Sequence, residues 1–239
     1  EKRQTLMFSA TLPREIDHII HRHMKSPQLV KAKEQVDESL LKQYYYVVPA
    51  QKRFGLLCKL LREERAPYAL VFCGTRRAVD LVSSNLNRNG ISARAIHGGL
   101  TQTMRKKVMS SFNEKNTNIL VASDIAARGL DIKMLKHVYN YDVPKNAEEY
   151  THRIGRTARA GEEGIAITLV SEKDYDSFRR IQRNRTIDII ELELPEEIPY
   201  INFLSHRTNR GRAEGRFGGN YAQKRFGNRQ GFSRRRHHN

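Results

Sequence analysis

Between residue 44 and about residue 182, short runs of β-branched and aromatic residues alternate with stretches whose apolar positions recur at helical spacing. The strand-like runs are 44–48, 69–73, 93–96, 119–122, 137–141 and 165–170. Between them, Phe54, Leu57, Leu60 and Leu61 share one face of a helix over 51–64, and Val79, Leu81, Val82 and Leu86 share one face of a helix over 77–89. Gly90 then stands where a helix-terminating residue is needed. Strands that read as near-continuous apolar runs, each followed by an amphipathic helix, predict repeated βα units around a parallel sheet buried on both faces.

The ends of the chain break this rhythm. Leu6 to Phe8 reads as a strand and 13–24 as a helix, yet no earlier strand precedes them to pair with. They read as the end of a preceding domain, so 1–36 is expected to be such a remnant with the start of a linker. A polar linker over 37–42 would lead into a main domain spanning 37–195, with a boundary near residue 40. The remainder, 196–239, is expected to be a mostly disordered tail: from 206 onward Arg and Gly mix with Phe217, Tyr221, Phe226 and Phe232 without any hydrophobic period.

Charge gives that tail a meaning. The 239 residues carry a formal charge of +17, and 206–239 alone hold ten Lys or Arg against one acid, Glu214. An excess of this size favours a polyanionic partner through counterion release, and nucleic acid is the leading candidate. The interleaved aromatics add surfaces on which bases of any sequence can stack. The composition, 38% hydrophobic and 29% charged, includes no apolar run long enough to span a membrane and no signal-peptide pattern, so the cytoplasm is the expected compartment. Cys58 and Cys73 lie in apolar surroundings without metal-ligand or CxxC spacing and read as buried thiols; no metal site is expected in this chain.

The densest chemistry is the run His152-Arg153-Ile154-Gly155-Arg156-Thr157-Ala158-Arg159-Ala160-Gly161. With a helix starting near Ala147, Arg156 and Arg159 are i, i+3 neighbours on one face or at its frayed end, so their guanidinium forks can converge on one anion. Phosphoryl transfer uses groups of this kind to stabilise charge on the moving phosphoryl oxygens. An arbitrary arginine cluster is more often a solvated basic helix; the Gly155 and Gly161 punctuation and the accompanying motifs argue against that here.

His152 to Gly161 resembles motif VI of the DEAD-box RNA helicases, and further motifs follow the family's order. Ser9-Ala10-Thr11 is similar to motif III, 70–75 to motif IV, Gly98 with Gln102 and Arg105 to motif IVa, and 121–131 (VASDIAARGLD) to motif V. The resemblance implies a RecA-like three-layer α/β domain, a parallel sheet flanked by helices, preceded by a remnant of a first RecA-like domain and followed by the disordered tail. It implies that Arg156 and Arg159 are arginine fingers reaching the γ-phosphate of ATP. Gly129 and Asp131 would sit at the nucleotide, Asp131 at its ribose. Arg128 and His152 would contact the first domain, and Ser9 and Thr11 would link nucleotide state to RNA binding. Thr75, Gly98, Gln102, Arg105 and Ser123 would touch or support contacts to the RNA backbone. From the residues alone, a strand-end turn acid is the lesser alternative for Asp131, and Thr75 can be read as a helix N-cap, a role compatible with RNA contact.

Two positions depart from the family pattern. Ser123 stands where Thr is common and keeps the hydroxyl; Ala158 stands where Gly is common, which matters only if its φ must be positive. The sequence also contains no GxxxxGK[ST] loop and no Asp-Glu-Ala-Asp run. The phosphate loop and the ligands for Mg2+ are therefore expected in a missing N-terminal RecA-like domain, the chain's expected partner alongside RNA bound through its backbone without sequence preference. The whole protein would be an ATP-dependent RNA helicase remodelling short duplexes, with this fragment inactive alone. The competing reading is a stand-alone RNA-binding protein that kept the fold without catalysis; against it, paired arginines at 156 and 159 have little use without a γ-phosphate.

Overall fold

A computed structural model describes residues 3–8, 14–30, 40–63, 68–127, 130, 132, 135–158, 162–184 and 187–205. The chain divides into two units, Glu1–Leu204 and Ser205–Asn239, and the fold that follows is that of the first. In chain order its elements are α1 (Arg14–His23), β1 (Leu41–Val47), α2 (Arg53–Glu63), β2 (Ala69–Phe72), α3 (Arg76–Arg88), β3 (Ala93–Ile96), α4 (Gln102–Asn113) and β4 (Ile119–Ala122). There follow α5 (Asp124–Ala127), β5 (His137–Asn140), α6 (Ala147–Ile154), β6 (Gly164–Val170), α7 (Tyr175–Gln182) and β7 (Ile190–Glu191). The seven strands form one sheet in the order β3-β4-β2-β5-β6-β1-β7, every neighbouring pair parallel.

Right-handed crossovers between parallel strands sort the helices onto the two faces according to which way the chain steps along the sheet. Phe54 and Leu57 of α2 and Val79, Val82 and Leu86 of α3 pack with Val71, Val121, Tyr139 and Ile167. On the other face Phe112 of α4 and Ala126 and Ala127 of α5 pack with Leu70, Phe72, Leu120 and Val138. Consecutive residues of β2 thus serve opposite cores, as the two-residue period of a strand requires. Tyr150 and Ile154 of α6 and Ile181 of α7 complete that second face against Leu41 and Ala166. The result is the three-layer RecA-like domain, with α1 formed where the periodicity placed a helix.

Helix ends carry their own logic. Thr75 caps α3, its hydroxyl accepting the Ala78 N–H at 3.1 Å. At the other end Gly90 takes φ +74, its N–H reaching Asn87 O at 3.1 Å while Ile91 N–H reaches Leu86 O at 3.0 Å, a Schellman closure. Helix α4 closes the same way with Lys115 at φ +66 and Asn116 N–H on Ser111 O at 3.0 Å. Among the described residues no helix is long and apolar enough to cross a membrane.

Three expectations are corrected. Leu6 to Phe8 is not a strand: residues 3–8 have no regular structure, with Leu6 67% and Phe8 90% exposed, because a strand needs a ladder partner and the described ladders provide none. Leu41 and Lys42 are not linker but the first residues of β1, paired with Gly164 and Ile165. The domain also runs past 195. Ile198, Ile201 and Phe203 pack on the α2–α3 core, with the Phe203 and Phe54 rings 5.0 Å apart. Asn85, 2% exposed, holds Leu204 twice, donating to its carbonyl at 3.1 Å and accepting its N–H at 2.9 Å. A Cβ on Gly55 would lie 2.1 Å from Pro199 O, so this strap crosses α2 where only glycine fits.

Cys58 and Cys73 are both free and buried, and burial pushes the Cys58 thiol up to about 11 and the Cys73 thiol well above its ordinary range. Neither supplies a thiolate nucleophile near neutral pH.

Candidate nucleotide and nucleic-acid interface

The loops that follow parallel strands gather at their C-terminal ends, where helix N-termini also point. Because β3, β4 and β2 are consecutive in the sheet, Gly98, Ser123 and Thr75 line one edge, about 10 Å long at ~4.8 Å per strand spacing. Each position is locally fixed. Thr75 caps α3; the Ser123 carbonyl accepts the N–H groups of Ala126 and Ala127 at 3.0 Å and so starts α5. Thr101 caps α4 through Met104 N–H at 3.3 Å, leaving Gln102 exposed as its first residue. Neither α3 nor α4 has an acid in its first turn. The positive ends of both helix dipoles are therefore left to favour an anion. Arg105 is committed in part: its Nη2 donates to Ala126 O at 2.7 Å, tying α4 to α5.

A partly buried ion-pair relay supports this edge from behind. Asp142, following β5, accepts the Gly74 N–H at 3.0 Å. Its carboxylate also meets Arg53 Nη2 at 3.2 Å, and Arg53 Nη1 meets Asp174 at 3.2 Å. The Arg53 guanidinium lies 4.4 Å from the Tyr141 ring centroid. The loop that presents Thr75 is thus anchored to α2 and to the turn after β6.

The second part of the interface is a small polar recess lined by Phe72, Asp124, Ala127, Glu149, His152, Arg153 and Arg156. Helix α6 is capped by Asn146, whose side chain accepts Glu149 N–H at 2.8 Å, and ends at Ile154 with Gly155 as its C-cap. Arg156 therefore lies in the turn just beyond the helix, half-buried, its N–H on Arg153 O at 3.1 Å. Arg153 is of a different kind. It is 2% exposed and saturated: Nε and Nη2 form a fork on Asp124 at 2.6 and 2.8 Å, while Nη1 meets Asn140 Oδ1 at 3.2 Å and Asp142 O at 2.6 Å. Its guanidinium also lies 5.0 Å from the Phe72 ring centroid. Asn140 completes the network by donating to Thr168 Oγ1 at 3.1 Å. His152 Nδ1 is buried without a hydrogen-bond partner among the described residues.

Ala158 sits in the following turn at φ +52, left-handed backbone that costs a side chain ~1–2 kcal/mol. It is the condition under which alanine in place of glycine matters. Its methyl is buried in the α6–α7 cluster, and that burial, worth ~0.8 kcal/mol, offsets much of the cost. Thr157 anchors the turn, its hydroxyl 2.6 Å from Leu135 O. Gly164 leaves room for it: a Cβ there would lie 2.4 Å from Thr157 Oγ1.

Of the expected site residues, Thr75, Gly98, Gln102, Arg105 and Ser123 fall on the strand-end edge, and His152 and Arg156 line the recess. Ser9, Thr11, Arg128, Gly129, Asp131 and Arg159, like the tail from 206 on, lie outside the described residues. The sequence reading missed Arg153, Asp124, Asn140 and Asp142. A signal existed for Arg153: it shares the helical face of Tyr150 and Ile154, and a cation on an apolar face has to be paired.

Comparison with known proteins agrees with this geometry. The family described as Helicase conserved C-terminal domain matches residues 52–161. The DEAD-box ATP-dependent RNA helicase CshA of Bacillus cereus is 42% identical over 196 residues, 82% of this chain and 37% of CshA, so the chain spans little more than a third of that relative. Among solved structures, E. coli DEAD-box protein SrmB bound to regulator of ribonuclease activity A is 35% identical with TM-score 0.62, covering 64% of this chain and 91% of that one. S. cerevisiae Dbp5 bound to RNA and ADP BeF3 is 26% identical with TM-score 0.68, covering 77% and 50% respectively. Shared sequence, shared fold and motif residues gathered on one edge of the sheet lead to one conclusion: the chain belongs to the DEAD-box RNA helicase family.

Proposed function

We propose that this chain is the arginine-finger half of an ATP-dependent RNA helicase, working against a P-loop-bearing RecA-like domain and on RNA held by its backbone, in the cytoplasm. The observation that carries the reading is the pairing of two arginines three residues apart. Arg153 spends its fork on Asp124, Asn140 and the Asp142 carbonyl, while Arg156 lines the recess beside His152. The donor set fits a nucleotide's phosphates, since a guanidinium at the mouth of a recess provides charge and directional N–H groups for phosphoryl oxygens.

ATP with Mg2+ supplies the γ-phosphoryl group and part of its charge neutralisation when bound, the metal's ligands lying in the partner domain. Arg156, with Arg159, contacts the γ-phosphate and stabilises the charge that develops in hydrolysis. Gly129 and Asp131 hold the ribose side, and Arg128, His152, Ser9 and Thr11 transmit nucleotide state between domains. Thr75, Gly98, Gln102, Arg105 and Ser123 bind or support the RNA backbone, consistent with hydroxyls, amides and one arginine that read no bases. The basic tail adds affinity without sequence preference. Dbp5, which shares the fold, was solved with RNA and ADP BeF3, and that supports the assignment of both ligands.

The test is RNA-stimulated ATP hydrolysis by the chain alone and fused to the P-loop domain of a DEAD-box relative. The fusion hydrolyses ATP, the chain alone does not, and Arg156→Ala in the fusion reduces the rate by roughly 10³. Undiminished hydrolysis in that variant contradicts the assignment.

A further inference from the structure

His97, at the end of β3, belongs to none of the roles above, yet both of its ring nitrogens are engaged. Its Nδ1 accepts the Gly99 N–H at 3.1 Å, and its Nε2 lies 2.9 Å from Asp80 Oδ1 on α3. A backbone N–H can only donate, so Nδ1 carries the lone pair and Nε2 the proton, which it donates to Asp80. The ring is thereby a neutral imidazole in one tautomer, 8% exposed.

The turn it holds is built around it. Leu100 N–H closes on His97 O at 3.1 Å, placing Gly98 and Gly99 at the centre of the turn. Neither glycine has positive φ, so backbone conformation does not demand them; at Gly99 close approach to the buried His97 ring does. A Cβ on Gly99 would lie 3.0 Å from His97 Nδ1 and Cε1, and one on Gly98 would lie 3.3 Å from Arg76 Nη2. The turn runs between the His97 ring and the Arg76 guanidinium, joined to α3 through Asp80, and leads directly into Thr101 and Gln102 at the start of α4.

We propose that His97 is a positioning residue for RNA-backbone binding. Its tautomer, set by Asp80, keeps Nδ1 free to accept the Gly99 N–H and so holds the Gly98–Gly99 turn in the shape that puts Gly98 and Gln102 in register with Thr75. The proposal rests on the RNA-edge assignment made above and adds to it the group that holds the edge in shape.

Asparagine and glutamine separate the two bonds. The substitution His97→Asn places an amide oxygen near the position of Nδ1 and, because an amide has no tautomers, accepts the Gly99 N–H without help from Asp80. The longer side chain of His97→Gln reaches only the Nε2 position. A third substitution, Asp80→Ala, releases the tautomer. The measurement is titration of the full ¹⁵N-labelled chain with a short oligouridylate, reading RNA-induced shifts residue by residue so that the tail's amides report separately from those of Thr75, Gly98, Gln102 and Ser123.

Wild type and His97→Asn should bind at the edge with the same apparent affinity, while His97→Gln weakens the shifts at Gly98 and Gln102 about tenfold with tail binding retained. Gly99→Ala, whose methyl displaces the ring, should match His97→Gln. Asp80→Ala should weaken edge binding about threefold in the wild-type background and not at all in the H97N background, a dependence that a merely structural role would not produce. This cycle decides the matter if His97→Gln does not fold. Edge binding unchanged in His97→Gln, or an Asp80→Ala cost equal in both backgrounds, overturns the role of His97 while leaving the RNA edge standing. Shifts confined to the tail in wild type overturn both.

Discussion

The two halves of the interface are held in opposite ways. At the recess, one buried guanidinium makes four contacts and joins α6, the helix that leads into the Arg156 turn, to the start of α5 and the end of β5. At the strand-end edge, Thr75, Gly98, Gln102 and Ser123 are placed by helix caps and single hydrogen bonds near the surface. The difference fits the ligands proposed for each half. A finger that meets a phosphoryl group has to be held to fractions of an ångström, and low-dielectric pairing behind it supplies that rigidity. A surface that follows a flexible polyanion without reading bases needs hydroxyls and amides in approximate register, which caps provide, with the Arg53–Asp142 pair steadying the Gly74 loop from behind.

Substitutions on each side should separate these regimes by size. Asp124→Ala leaves Arg153 buried without its carboxylate and should destabilise the chain by about 3–5 kcal/mol, read from chemical denaturation. Thr75→Ala removes an exposed cap and should cost about 1 kcal/mol in the same measurement. If the two losses were equal, the contrast between a buried ion-pair anchor and a capped surface would be wrong. At the small end, Lys115→Gly replaces an exposed residue at φ +66 and should raise stability by about 0.5–1 kcal/mol, with no change at either site.

Much of the fold was legible because its signals are local. The six strands expected between residues 44 and 170 are all present, since runs such as Ala69–Phe72 and Ile119–Ala122 are apolar on both faces and flanked by helical periods. Gly90 ended its helix for the anticipated reason. What was illegible depends on partners distant in sequence. Strand β7 is two residues long and exists through pairing with Tyr44 and Tyr45 of β1, where Tyr45 donates to Glu191 at 2.6 Å. The strap beyond 195 looks like the start of a polar tail until Asn85 and Gly55, more than a hundred residues earlier, are seen to receive it. Leu6 to Phe8 failed in the reverse sense, its apolar character resembling a strand without supplying a ladder.

The candidate site divides in the same way. Motif residues such as Thr75 and Arg156 carry their chemistry in their identity and spacing. Arg153 was passed over because it sits among arginines that read as one cluster, and only the positions of Asp124 and Asn140 reveal that its charge is consumed internally. Ala158 shows the limit from another side: the sequence identified the departure from glycine, but the φ of +52 and the packing that offsets it are properties of the folded turn.

The most direct test of the account compares Arg153→Lys with Arg156→Lys, each keeping a positive charge while losing the planar fork. For each, unfolding free energy is measured on the chain and RNA-stimulated ATP hydrolysis on the fusion with a P-loop domain. The account predicts that Arg153→Lys loses about 2–4 kcal/mol of stability, whereas Arg156→Lys, at a half-buried position, loses less while hydrolysis falls at least ~100-fold. Equal destabilisation by both, with hydrolysis retained in Arg156→Lys, would contradict the division between a structural and a reactive arginine.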